Sequence, residues 1–518
     1  MATPFSHKLY LFAVPLLQSH LSNQFDFNCC ILGDSKSTDF STGANLPFGI
    51  AQAWPHAYWS GFARGGTVND GAVQKYMFDP GYTTATAATN RLSGATFSQG
   101  QVGCFPGNGC DYRMPSTANL ADNTVIARDE LLGAYSLTVN AGSFSAVSSG
   151  IQVGTATTGH YLFTGLPVNL TGTGCPTGSF IAITGVVSGA TGLDDFAIVN
   201  PGGSGSVSTG DCTVAVPTRF ASGDWFDSVA MCGRAIFYKD TSGPMFGGAK
   251  IQSRRNRGSI INTTEFVCND AVGVSYVDIS HGTGSGYPGI LVRTKDSYDE
   301  GVGGTVQQAY YHGGFLWYRG TVANRTNGLM ISNITRSGGT SLDLAGAFGD
   351  STNGTNPVSR TNTAAYLNAL FLPKYYLVDI GQNATAAETT DFAGGGYTAF
   401  KTNLQYCINA IKATYTAAGG IGEPVICLCA PYSAGTETYY SLRAQAAYEI
   451  SLENACVCFL NIYALMGKRT GSYSHWTVDG THPDPRGAIE WAGAIWGACC
   501  SEYVAQTRLR EEVRQFGA

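Results

Sequence analysis

The sequence predicts an α/β protein in which a doubly wound, largely parallel sheet is interrupted by a large all-β region. Two observations predict this. At both ends of the 518-residue chain, short apolar runs meet helix-patterned stretches, the order that builds parallel strands joined by crossover helices. Between them, from about Gly61 to Thr326, Gly, Ser, Thr and Asn dominate and apolar residues recur at a period near two. Composition agrees: 44% hydrophobic residues, 13% charged residues and 67 glycines describe a globular chain rich in tight turns. Its length exceeds what one core usually serves, so two or three domains are expected.

The first strand is expected at about Phe27 to Leu32, ending in "CCILGDSKS", and "WPHAYW" (Trp54 to Trp59) suits a short helix. The earlier stretch "HKLYLFAVPLLQSHL" imitates a secretory leader, with Lys8 ahead of an apolar run. It lacks a small-x-small cleavage site and the strand begins only a few residues later, so secretion by a cleaved leader is disfavoured. In the middle region, "GSFSAVSSGIQVGTATTGHYLFTGL" and "GSFIAITGVVSG" read as short antiparallel strands. A break near Val216 to Trp225 divides it into modules at 61–217 and 218–326. The second carries "CGRAIFYK", "VGVSYVDIS", "GILVRT" and "GGFLWYRG", spaced like a sandwich or jelly roll.

From Gly328 onward strand and helix alternate. "GLMISNI" and Tyr375 to Gly381 are expected strands. Phe400, Leu404, Cys407, Ile408, Ile411 and Tyr415 then recur at three- and four-residue spacing, the stripe of an amphipathic helix. "PVICLCAP" is a strand, Glu437 to Asn454 a helix, "CVCFLNIY" a strand and "DPRGAIEWAGAIWGACC" a closing helix. With the first strand this makes five parallel strands, contributed by residues 1–60 and 327–518.

Charge and cysteine usage narrow the partners. A net charge of −6 gives no reason to expect nucleic acid or an anionic membrane surface, and no apolar run is long enough to span a bilayer. Of fifteen cysteines, Cys29, Cys30, Cys427, Cys429, Cys456 and Cys458 fall inside apolar strands, where a free thiol acts as a small hydrophobe. No C-x-x-C pair suggests zinc, and no cofactor is expected. Cys104 and Cys110 in "CFPGNGC" are the best-placed pair for a local disulfide, though reduced thiols are favoured. Of six Asn-x-Ser/Thr sequons, those at Asn333 and Asn383 fall on the expected site, which argues against a eukaryotic secretory route.

The chemistry gathers where strands end. In a doubly wound sheet the ligand crevice lies at the carboxyl ends of the strands. Ser35 follows the first strand. Asn333 and Gly338 follow the second in "SNITRSGGTS", Gly381 and Asn383 the third in "DIGQNA", and Asp479 and His482 precede the last helix in "VDGTHPDPRG". A serine hydroxyl needs an imidazole to take its proton, and an acid to hold that imidazole's tautomer. N–H donors must then receive the oxyanion. His56, His281, His312 and His475 read as structural or exposed, Arg336 as solvated, and Asp34 as a brace for the Ser35 turn.

"GDS", "SNITRSGGTS", "GQN" and "DGTHP" resemble, in order, the four sequence blocks of the SGNH (GDSL-type) hydrolases. The resemblance covers the two ends, roughly half the chain. It implies a flavodoxin-like three-layer α/β/α sheet with Ser35 as nucleophile, His482 as base and Asp479 orienting it. The amides of Ser35 and Gly338 and the Asn383 side chain would form the oxyanion hole. Two positions depart from the pattern: Lys36, where an apolar residue is usual, and Ala384, where Asp often follows the block Asn.

The β region bears on substrate. Tyr, Trp and Asn among small polar residues, as in "YYHGGFLWYRG", suit an acetylated polysaccharide, and no amphipathic lid of the lipase kind is visible. The Gly/Thr-rich "LTGTGCPTGSFIAITG" is similar to hairpins of phage tail and bacterial surface proteins. The reading is a carbohydrate O-acetyl esterase, folded in cytoplasm and acting outside as a virion or surface component, a homo-oligomer and a trimer if a tail spike. Two others stay open: a lipid or aryl esterase of the same family, and a glycan-binding spike or adhesin whose hydrolase site is vestigial.

Overall fold

The computed structural model describes residues 3–22, 25–34, 36–37, 46–54, 58–59, 327–335, 339–354, 359–383, 385, 387–388, 396–430, 437–466, 483 and 485–516 of a first compact unit. In a second unit it describes the strands given below with residues 176, 230 and 320–326. The first unit is formed by 1–38, 45–60 and 327–518; the second holds 39–44 and 61–326.

The first unit is a mixed α/β fold around a parallel-rich sheet. Its strands are β1 (Ser6–His7), β2 (Phe27–Gly33), β3 (Tyr58–Trp59), β4 (Leu329–Thr335), β5 (Tyr375–Asp379), β6 (Val425–Ala430) and β7 (Val457–Asn461). They lie in the order β1-β7-β6-β5-β2-β4-β3. All neighbours are parallel except β1, which runs antiparallel to β7. Chain order reverses at β2, whose neighbours are β4 on one side and β5 on the other. Such a switch point opens a crevice at the strands' carboxyl ends.

The helices are α1 (Tyr10–Ser22), α2 (Leu46–Ala53), α3 (Ser341–Ala347), α4 (Arg360–Ala369), α5 (Gly396–Ala417), α6 (Glu437–Glu453), α7 (Ile462–Met466) and α8 (Pro485–Phe516). They cover both faces, which is why the strands read as continuous apolar runs instead of alternating. Cys29, Ile31, Leu377, Cys427, Cys458 and Leu460 pack with Phe12 and Leu16 of α1, Ile50 of α2 and Trp491 and Ile495 of α8. On the opposite face Val378 and Leu428 line a small cavity with Phe400 and Leu404 of α5 and Ala447 of α6. At Gly49 of α2 an added Cβ would run into the Ala488 carbonyl of α8, so the two helix backbones touch there and only glycine fits.

The strand cysteines are free and buried, as their apolar setting implied. Burial raises the Cys29 thiol well above its ordinary range and Cys30 to about 12, so neither is poised as a nucleophile. Cys104 and Cys110 lie outside the described residues.

Two local expectations are corrected, and the leader-like stretch takes a place in the core. The apolar stretch that imitates a leader is the core helix α1, with Phe12, Ala13 and Leu16 fully buried. Lys8 Nζ donates to the carbonyls of Ser451 and Asn454 at 2.8 and 3.2 Å, capping the end of α6. The helix expected over Trp54 to Trp59 falls earlier, at α2, and Tyr58–Trp59 is an edge strand. Asn333 lies within β4, opposite Ile31, and not beyond the strand end.

The second unit is antiparallel. One eight-stranded sheet has the order 207–208, 143–148, 151–155, 195–199, 178–183, 167–172, 212–215, 136–139. Two four-stranded sheets follow: 273–282, 231–239, 311–319, 112–113 and 260–267, 248–255, 288–295, 125–130. They draw strands from both sides of residue 217. In the first, buried Arg234 meets Asp278 with two bonds of 2.7 and 2.9 Å and stacks 3.7 Å from the centre of the Tyr276 ring. His281 is buried, as a structural histidine would be.

Candidate active site

Ser35, Gly338, Asp479 and His482 lie outside the described residues, as do His56, Arg336, Ala384 and His475. What the structure describes is the segments at the carboxyl ends of β2, β4 and β5.

The turn after β2 is tight because Gly33 lets it be. A Cβ there would sit 2.7 Å from Ser37 Oγ and 2.9 Å from the Asp379 carbonyl oxygen. The Ser37 amide donates to the Asp34 carbonyl at 3.0 Å, closing a turn over residues 34–37. Asp34 is fully buried and braces this turn as expected. Its Oδ1 accepts the Lys36 amide at 3.0 Å, and its Oδ2 accepts the Gln382 amide at 3.3 Å. That second bond ties the Gly-Asp-Ser turn to the Gly-Gln-Asn loop after β5.

Asn383 is half-buried on that loop, and its Nδ2 donates to the Gly339 carbonyl at 3.4 Å. A carboxamide has two N–H donors; the other makes no bond among the described residues. The loop itself starts at Gly381, with φ +124°, a conformation that favours glycine. The Arg443 guanidinium of α6 holds it from below, donating to the carbonyls of Gly381 and Gln382. Tyr440 adds a 2.8 Å bond to the Gln382 side chain. Burial lowers the Arg443 pKa, opposed by nearby Tyr440 and the carboxylates Glu388 and Asp34.

On the β4 side, Thr340 and Asp343 form a capping box at the start of α3. Thr340 Oγ1 accepts the Asp343 amide at 3.2 Å, and Asp343 Oδ2 accepts the Thr340 amide at 2.9 Å. Segments after β2, β4 and β5 are therefore joined by direct hydrogen bonds at one rim.

Directly behind the turn lies a charge pair that sequence reasoning missed. Lys36 Nζ sits 3.5 Å from Asp379 Oδ1, both side chains wholly buried, and Ser37 Oγ donates to Asp379 Oδ2 at 2.9 Å. The ammonium also lies 5.5 Å from the Trp491 ring centre on α8. Burial raises the Asp379 pKa to about 6; Lys36 pulls it down and Asp34 pushes it further up. Burial works against the Lys36 charge, but Asp379 and Asp34 outweigh it and hold its pKa above the ordinary value. Lys36 is thus wholly buried, and its charge meets a matching aspartate. The available signal was a charged residue beside or within each of two apolar runs, "CCILGDSK" and "YYLVDIG". Arg443 had no sequence signal. Among the described residues no cluster of His, Cys, Asp or Glu could hold a metal ion.

No family model and no curated protein matches the chain. Solved structures similar to it include a GDSL-like lipase from Parabacteroides merdae, with 18% identity over 33% of this chain and 72% of that one, at a TM-score of 0.23. A gut microbial diltiazem-metabolizing enzyme shares 14% identity over 33% of this chain and 39% of its own, at 0.23. An acetyl xylan esterase from the rumen bacterium Butyrivibrio proteoclasticus shares 9% over 54% and 88%, also at 0.23. At overlaps this slight, the functional reading stands on the site and not on these likenesses.

Proposed function

We propose that the chain is a serine ester hydrolase of the SGNH type on a flavodoxin-like sheet, removing O-acetyl groups from a polysaccharide. The observation that carries the reading is the convergence of three block segments at one rim, through the Asp34–Gln382 and Asn383–Gly339 bonds. In this reading Ser35 Oγ attacks the acetyl carbonyl while His482 takes its proton, and Asp479 orients His482. The amides of Ser35 and Gly338 and the Asn383 side chain receive the oxyanion. His482 returns the proton to the departing sugar hydroxyl, leaving acetyl-Ser35. It then deprotonates a water that releases acetate and restores the serine. The all-β region is proposed as an insertion that holds the glycan.

The test is turnover of p-nitrophenyl acetate against longer acyl esters, then acetate release from acetylated polysaccharide, with Ser35→Ala in parallel. Loss of a triad member costs on the order of 10⁴–10⁶ in kcat, so Ser35→Ala should be inert. Substantial activity in Ser35→Ala would sink the nucleophile assignment. A preference for long acyl chains would favour the lipid or aryl esterase, and glycan binding without turnover the adhesin.

A further inference from the structure

We propose that Glu388 is a positioning residue that locks the loop carrying Asn383 to the start of α3, holding the Asn383 donor in place. The proposal rests on the assignment of Asn383 as an oxyanion donor. Glu388 is fully buried, yet both its oxygens are engaged. Oε1 accepts Ser341 Oγ at 3.1 Å and Asn403 Nδ2 at 2.8 Å. Oε2 accepts the Thr385 amide at 2.6 Å, and Thr385 Oγ1 accepts the Glu388 amide at 3.3 Å. Thr385 and Glu388 are therefore a capping box on the loop that carries Asn383. Ser341 opens α3 directly beyond Gly338, Gly339 and Thr340. Asn403 lies on α5, so the carboxyl group is anchored to the body of the unit as well as to both loops.

A carboxyl group stripped of water is costly unless it is fully bonded, and an apolar residue could fill the same space without that cost. What an apolar residue could not do is join Ser341 to Thr385. An oxyanion hole needs its donors placed to within a fraction of an ångström, and a misplacement of about 1 Å can cost on the order of 10² in rate. The Asn383–Gly339 bond, at 3.4 Å, is a further direct link between the loops and is a long one. Glu388 makes the shorter contacts.

The experiment measures kcat and KM on p-nitrophenyl acetate for the full chain and for Ser35→Ala, Asn383→Ala, Glu388→Ala, Ser341→Ala and the Glu388→Ala/Asn383→Ala double variant. Glu388→Ala should lower kcat about 10- to 100-fold with KM within about two-fold, because the donors act at the transition state. In the double variant the Glu388 effect should largely vanish, since the donor it places is already gone. Full additivity, or a loss confined to KM, overturns the proposal. Should Glu388→Ala not fold, Ser341→Ala removes the Ser341–Glu388 bond and leaves the capping box. It should lower kcat about three- to ten-fold, and a wild-type kcat there overturns the proposal equally. Ser35→Ala reads the other question separately: if it stays active, the proposed function fails and this inference with it. If it is inert while Glu388→Ala and Ser341→Ala match the wild type, only the positioning role is lost.

Discussion

Lys36 and Asp379 place opposite charges where no water reaches, and one consequence is a specific dependence of stability on pH. Burial raises the Asp379 pKa from 3.8 to about 6, so the folded protein holds that proton more tightly than the unfolded chain does. A raised pKa contributes stability that is full below the unfolded value and is lost as pH rises through the folded one. The contribution of Asp379 is therefore complete below about pH 4 and gone above about pH 7. Asp379→Asn removes this titration and keeps the side chain's size. The stability margin of the wild type over Asp379→Asn, from urea midpoints, should shrink as pH rises from 4 to 7. A margin that grew over that range would mean the Lys36 charge outweighs burial and Asp379 titrates below its ordinary value.

Among the elements, α1 is the one whose role was least expected, and its packing makes a second prediction. Phe12 meets the Phe27 ring edge-on, with centroids 5.1 Å apart, and Phe27 stacks on Tyr375 at 4.3 Å. One aromatic side chain thus ties α1 to β2 and β5, the two strands at the switch point. Phe→Ala at a buried site costs about 3–5 kcal/mol, so Phe12→Ala should lower the unfolding free energy from urea titration by an amount in that range, with a lower midpoint and an unchanged slope. A loss under about 1 kcal/mol would show that α1 is not part of the core, since surface substitutions stay within about 0.5 kcal/mol. Its apolar run was ambiguous by pattern alone: a short apolar stretch after a lysine suits a leader and a buried helix equally.

At the scale of the whole molecule, the chain leaves the sheet at β3 and returns at β4, and these two strands are neighbours. Tyr58 is paired with Met330 and Trp59 with Ile331, so the two strands run side by side about one strand spacing apart, ~4.8 Å. Because they are parallel, a linker must double back from the end of β3 to the start of β4, which takes on the order of a dozen residues. Replacing residues 61–326 with a Gly/Ser linker of about a dozen residues should leave the first unit folded, with its cooperative melt retained. The shortened protein should still cleave p-nitrophenyl acetate and should lose most acetate release from acetylated polysaccharide. Equal activity of both proteins on the polymer would remove the β region from substrate recognition and leave oligomerisation or attachment as its role.

The sequence by itself determined the central strands of the sheet. Central strands buried on both faces must be apolar throughout, so "FNCCILG", "YYLVD", "VICLCA" and "VCFLN" announce themselves locally. The capping boxes at Thr340–Asp343 and Thr385–Glu388 went unread, although a cap is made within four residues and leaves a local T-x-x-D or T-x-x-E pattern. Only the tertiary structure decided the partners. Lys36 is 343 positions from Asp379, Asp34 is 348 from Gln382, and Ser341 is 47 from Glu388. A lysine beside an apolar run is solvated or buried according to what the fold brings opposite it. Here the sheet order sets β5 next to β2, and that adjacency put an aspartate within reach of the ammonium.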